Sequence, residues 1–227
     1  MKPTLPLLLS FNGGYVDVGG FLALQGLFTS HVTGNLATLG ASLVFGISGT
    51  LAKLLALPVF CIVVLASRLA GNRLRGLGLP VLGIMLALQL VLLIAGALLA
   101  IGLGPFADGD SPAAIVTGMT LVAAMAIQNA VHRVHFTGMP PSTVMTSTTT
   151  QLMIDIADLL AGAAAETRLT IRSRVQRASA AVAVFVTGCA AAALGLALVN
   201  VWCFIVPPAI ALVALLLHLF VPDDETI

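Results

Sequence analysis

The chain has 227 residues, of which 59% are hydrophobic and 8% charged, with a mean hydropathy of +1.11 and a formal net charge of +1. A soluble domain carries roughly 25% charged residues, so this composition excludes a water-facing surface, and the near-zero charge excludes the basic patch of a nucleic-acid binder. What remains is an all-α polytopic membrane protein whose partner is the lipid bilayer, built as a single membrane domain over residues 1–227.

The apolar runs are about 18–24 residues long, which matches a ~30 Å hydrocarbon core at ~1.5 Å per helical residue. Met1-Lys2 followed by Leu5 to Leu9 faintly resembles a signal peptide. The run continues past Asp17 without a small-residue cleavage site, so a retained first span over Leu5–Phe28 is expected. Gly13, Gly14, Gly19 and Gly20 suit close helix packing in lipid. Asp17 sits near the middle of this span. A carboxylate there costs on the order of 3 kcal/mol, so it should face the bundle interior.

A polar stretch, Thr29-Ser30-His31-Val32-Thr33-Gly34-Asn35, follows. Leu36–Ile47 is too short to span, and Gly46, Ser48 and Gly49 break it. Apolar sequence resumes over Leu51–Gly71, ends in a short basic loop at Asn72–Arg75, and resumes over Leu79–Leu103. Gly102-Leu103-Gly104 reads as a loop too short to cradle a phosphate. Pro105–Pro112 is an acidic turn with Asp108 and Asp110, and Ala113–Val131 is the next span. His132-Arg133-Val134-His135 and a Met139-Pro140-Pro141 break lead to a second polar stretch, Ser142–Thr150, and then to Gln151–Ala165 with Asp155 and Asp158. Glu166–Arg177 reads as a polar loop whose four arginines act as topology determinants. The final spans, Ala178–Val199 and Trp202–Phe220, are joined tightly near Asn200, with a start or kink at Pro207-Pro208 and a solvated tail at Asp223-Asp224-Glu225.

The two polar stretches match. With Asp17 laid on Asn129 and Thr33 on Thr146, the spacings agree within one residue. Repeat one covers 5–103 and repeat two 113–220. The positive-inside rule then arbitrates between topologies. If all eight segments cross, some arginines fall outside in either orientation. If the second and sixth dip in and return, Lys2, Arg73, Arg75, Arg133 and Arg168 to Arg177 are all cytoplasmic, Asp108 and Asp110 are external, and only Lys53 dissents. The expected architecture is therefore about six transmembrane helices plus two short re-entrant or broken helices, arranged as an inverted 3+3 repeat. Transporters use such repeats, with sites near the midplane at the broken helices.

Thr33-Gly34-Asn35 and Thr146-Ser147-Thr148 would each open a short helix, whose N–H groups and positive dipole suit a small polar or anionic solute. Simple N-capping is the plainer account of each stretch. Asp17 is a candidate coupling group, or a carboxylate paired with a helix terminus, Arg133 or Arg68. Gln128 and Asn129 occupy the matching place; they are candidate ligands, or amides that glue helices together. His31 could titrate near neutral pH or simply lie at the interface, as His218 would near its span end. His132 and His135 share a helix face but lack a third ligand, so no metal is expected. Cys61, Cys189 and Cys203 lack CxxC spacing and read as small apolar thiols. Gly188 with Ala192, or Ala191 with Gly195, suits close helix packing or a homodimer alike. No nucleotide loop, nucleophile elbow, HExxH or CxxC site is present, so neither an enzyme nor a cofactor is expected.

Gly14-Tyr15-Val16-Asp17, the Phe28-x-Ser30-His31-Val32-Thr33-Gly34-Asn35 run, and Gln128-Asn129-Ala130-x-x-Arg133 followed by Thr146 resemble the YoaK-like family of bacterial membrane proteins, a domain of unknown function. The resemblance covers nearly the whole chain. It implies the bacterial inner membrane and about six spans, but no substrate. The chain departs from the family pattern at Ala126 and Ser147, where a small-Gly pair is expected in the second half.

The expected function is a small-solute transporter or channel of the bacterial inner membrane, multi-pass, with both termini cytoplasmic. Its polar site would be lined by Asp17, His31, Thr33, Gly34, Asn35, Gln128, Asn129, Arg133, Thr146, Ser147 and Thr148. The alternative is a non-transporting membrane scaffold. A membrane enzyme ranks third, with Asp17, Asp155 and the histidines as its only acid–base candidates.

Overall fold

The computed structural model describes residues 4–46, 48–143, 145–162 and 164–220. Lys2, Val144 and the Asp223-Asp224-Glu225 tail lie outside them. The described residues form α1 (Thr4–Ala23), α2 (Val32–Phe45), α3 (Thr50–Gly76), α4 (Val81–Leu103), α5 (Pro112–His135), α6 (Met145–Leu160), α7 (Ala165–Val199) and α8 (Val206–Phe220), with a 3-10 turn at Asn200–Ile205. Four stretches are long and apolar enough to cross a membrane: Thr50–Gly76, Val81–Leu103, Pro112–His135 and the 55-residue Glu166–Phe220.

Turn chemistry sets the breaks. α1 stops where Gln25 and Gly26 adopt positive φ (55° and 86°). α2 ends on left-handed Gly46, whose N–H donates to the Ser42 carbonyl. Asp110 caps α3 from a distance, its carboxylate accepting from the N–H groups of Gly49, Thr50, Leu51 and Ala52 at 2.8–3.2 Å. Ser111 caps α5 ahead of Pro112.

Hydropathy placed the cores of these helices well and their ends less well. The first span ends at Ala23 rather than Phe28. Asn72–Arg75 is not a loop but the last turn of α3. α4 runs through Leu103, leaving only Gly104 of the expected Gly102–Gly104 loop. Glu166–Arg177 is likewise helical, as the first third of the 35-residue α7. Arg, Glu, Gln and Ala are good helix formers. A run of them marks where the apolar slab ends, not where the helix does.

α1, α5, α4 and α8 contact one another in a closed ring. α7 covers α1, α3 covers α5, α2 rests on α3, and α6 rests on α7. The contact of α1 with α7 is backbone-close: a Cβ at Gly14 would lie 2.3 Å from the Phe185 carbonyl oxygen, and one at Gly188 would lie 2.2 Å from that of Phe11. Gly195 meets the Tyr15 hydroxyl and Ala192 meets Gly19, so this small-residue stripe is taken up within the chain. The interior holds two apolar clusters. One is centred on Val16, Leu93, Leu121 and Met125, the other on Leu9, Met85, Leu86 and Ile127. Ile62, Leu65, Leu98 and Leu198 point outward with more than half their surface bare, as lipid-facing residues do.

α1 and α5 run antiparallel. Leu9 meets Gln128 at one level, and Leu24 and Leu27 meet Gly118 at the other. α4 and α8 are antiparallel too, with Gly83 on His218 and Gly104 on Val201.

The two ends differ in charge. At one end Gln25 donates to the Phe106 carbonyl at 2.9 Å, Ser48 donates to Asp108, and Gly109 N–H donates to Ser48 at 2.7 Å. Lys53, the dissenter in the charge count, is buried here, donating to the Ser42 hydroxyl at 2.9 Å and the Ser48 carbonyl at 3.3 Å. The other end gathers Arg68, Arg75 and His135.

Candidate functional site

Two returns of the chain define the polar interior. After α1 ends, residues 27–31 run back along it to Asp17. This carboxylate is buried and accepts from Ser30 N–H at 2.7 Å, His31 N–H at 3.3 Å and the Thr29 hydroxyl at 3.4 Å. Its second oxygen is paired with His31 Nδ1. The partner of Asp17 is thus a turn at a helix start together with a histidine, not Arg133 or Arg68. Phe28 and Phe185 flank the His31 ring, each with centroids 6.0 Å away. Asn35 clamps the turn: its oxygen accepts from Phe28 N–H at 2.8 Å and its amide donates to the Phe28 carbonyl at 2.7 Å. Gly34 lies against the Phe28 ring, where a Cβ would sit 2.9 Å away. Thr33 is exposed beside them.

The second return is built alike. After α5 ends, residues 137–143 run back to its last third. Thr143 donates to the Asn129 side-chain oxygen, and Asn129 donates to the Met125 carbonyl at 2.9 Å. Gln128 donates to Ser142 at 3.2 Å and to the Leu9 carbonyl at 2.8 Å, while Gln89 donates to Gln128 at 2.7 Å. Both closures link residues fourteen apart, Asp17 to His31 and Asn129 to Thr143. Both lie six residues before their helix ends, about 9 Å deep at 1.5 Å per residue. Asp17 stands four to eight residues along α1 from the Leu9–Gly13 level of the second closure, an axial offset of about 6–12 Å.

The sequence-predicted residues therefore fall into three groups. Asp17, His31 and Asn35 meet at the first return, and Gln128 and Asn129 at the second. Arg133, Ser147 and Thr148 line a cavity of about 360 Å³ with Gln151, Arg174 and Arg177. A wider cavity of about 990 Å³ shares part of its wall and reaches Asn129 and His132. Thr33 and Thr146 are exposed and line neither cavity. Among the described residues no three ligands converge on a metal-sized site.

Sequence reasoning missed four contributors. Gln89 is a lone polar residue in the middle of the most apolar helix, and that isolation was a readable signal. Asn12 is fully buried, and neither of its side-chain polar atoms has a partner among the described residues. Ser142, quoted only as part of a stretch, is a closing residue. Arg174, expected only as a topology determinant, holds Asp155 through a paired guanidinium–carboxylate contact.

Long apolar helices around a polar interior are compatible with a multi-pass membrane protein of the all-helical class. A family model described as "Protein of unknown function (DUF1275)" matches residues 5–217, and the chain belongs to that family, within which the YoaK-like resemblance falls. No curated protein and no solved structure matches the chain.

Proposed function

We propose that the protein is a small-solute transporter or channel of the bacterial inner membrane, built as an inverted repeat with its polar site between two re-entrant returns. The observation that carries this reading is the matched pair of closures, Asp17–His31 and Asn129–Thr143, at equal spacing and equal depth. The antiparallel course of α1 against α5 and of α4 against α8 supports it, because equivalent helices of an inverted repeat oppose one another. So does the contact scheme, which maps onto itself when the halves are exchanged: α7 on α1 matches α3 on α5, and α6 on α7 matches α2 on α3.

In this reading α1, α3, α4, α5, α7 and α8 cross the membrane. The end holding Arg68, Arg75, Arg133 and the arginines of α7 faces the cytoplasm with both termini, and the Asp108 end faces outward. Non-helical backbone at membrane depth is tolerated where protein or a wet cavity covers it, which is the situation of residues 27–31 and 137–143.

The scaffold reading rests on Asn35 and Gln128, whose side chains are spent on backbone and neighbouring side-chain groups. Stopped-flow swelling of proteoliposomes separates the two. Vesicles are mixed with isosmotic glycerol, urea, formate, acetate or nitrate. Swelling faster than in protein-free vesicles for at least one solute, slowed by Asp17→Asn, is expected. No acceleration by any member of a widened panel would favour the scaffold.

A further inference from the structure

We infer that the arginine-walled cavity beside the second return binds an oxyanion, a carboxylate or a phosphate group. The inference rests on the transport reading for its role, not for its existence. The two cavities share Arg133, Thr137, Met139, Pro141 and Ser147 as lining residues. A volume of about 360 Å³ for the smaller cavity suits a small ligand.

Its chemistry is one-sided. Arg133 and Arg177 reach the walls, and among the described residues neither has a carboxylate within ion-pair distance. Arg174 is occupied by Asp155, and Asp158 adds a weaker field to the same arginine. Among the described residues no carboxylate lines either cavity. The remaining polar walls come from Asn129, His132, Thr137, Ser147, Thr148 and Gln151.

His132 supplies the independent sign of a ligand. It lines the wider cavity, is 4% exposed, and its Nε2 has no hydrogen-bond partner among the described residues. A buried ring nitrogen left unpaired is costly unless something arrives to meet it. Two guanidinium forks with no carboxylate partner among the described residues suit bidentate recognition of an oxyanion.

The test uses the full-length protein in phosphatidylcholine nanodiscs. Inorganic phosphate and acetate are titrated at constant ionic strength, with the thermal midpoint and calorimetric heat as readouts. A saturable rise in midpoint is expected. Arg133→Gln and, separately, Arg177→Gln should each raise the half-saturating concentration about tenfold, the loss of one charge-assisted contact. Arg172→Gln, exposed on the same helix and lining neither cavity, should bind as the wild type does. If soluble anions do nothing but phosphatidylglycerol raises the midpoint in an Arg133-dependent way, the oxyanion is a lipid headgroup and the site stands. No response to phosphate, acetate or phosphatidylglycerol overturns the proposal, as does equal weakening by Arg172→Gln. Arg133-dependent binding without vesicle flux would retain the site and remove the transport reading. Flux of a neutral solute without anion binding would do the reverse.

Discussion

Asp17→Ala should be the most informative single change in this chain. The carboxylate closes the first return by accepting from two backbone N–H groups and a hydroxyl, with Ser30 N–H the shortest at 2.7 Å and His31 N–H and Thr29 at 3.3 and 3.4 Å. An unmade buried donor costs about 1–3 kcal/mol. Taking about 2 for the short contact and about 0.5–1 for each long one gives a loss of about 3–4 kcal/mol. At about 2–4 °C per kcal/mol for a chain of this size, the midpoint should fall by roughly 6–16 °C. Asp17→Asn keeps one acceptor for Ser30 N–H, and asparagine already fills the matching position at 129. Its loss should be about 1–2 kcal/mol, or roughly 2–8 °C. The assay is thermal unfolding read by a thiol-reactive fluorophore in a Cys61→Ala background, with buried Cys203 and half-buried Cys189 as the reporters. An Asp17→Ala midpoint within about 2 °C of the parent would refute the closure argument. So would an Asp17→Asn protein less stable than Asp17→Ala.

Gly14→Ala or Gly188→Ala should force α1 from α7 and abolish a monodisperse peak in gel filtration, whereas Gly40→Ala, with nothing within 4 Å, should be neutral or stabilising by about 0.5–1 kcal/mol. Asp110→Ala removes the acceptor of four N–H groups at the start of α3 and should cost about 1–2 kcal/mol, with Asp110→Asn recovering part of it; hydrogen exchange at Thr50–Ala52 would show the fraying. The Ser48 hydroxyl, with help from Asp110 N–H, holds Asp108 below its ordinary value of 3.8. A carboxylate depressed in the fold stabilises above its unfolded value and loses that effect as pH falls through the folded one. The contact of Ser48 with the 104–111 loop should therefore be insensitive to pH from 8 to about 5 and loosen only below about 4, a dependence that Asp108→Asn removes. Finally, Ser48→Cys should label from outside cells and Ser173→Cys only after the inner face is opened; labelling of both from one side would exclude the re-entrant topology.

The sequence by itself determined the class of this protein and the identity of its unusual residues. With few charges and apolar runs of membrane length, no water-facing fold is available to it. Asp17, Asn129 and the two hydroxyl-rich stretches stand out because polar groups in such runs need partners. The sequence also carried the internal match, since spacing survives where identity does not. Helix ends were less legible at Asn72–Arg75 and Glu166–Arg177, because hydropathy falls at the water boundary while helix propensity does not.

What only the tertiary structure decided is who meets whom. Asp17 could have answered to Arg133, and the pairing with Ser30 and His31 depends on a turn at Gln25 and Gly26 that folds the chain back on itself. Asn35, a candidate ligand by sequence, clamps the turn, because its amide lies level with the Phe28 backbone. Arg174 was one arginine of four until α6 brought Asp155 beside it. Gln89 and Gln128 lie on different helices, thirty-nine residues apart, and share a hydrogen bond in the packed bundle. A polar side chain in an apolar run announces that it must be satisfied. Which neighbour satisfies it depends on helix rotation and depth, and those are set by the whole bundle at once.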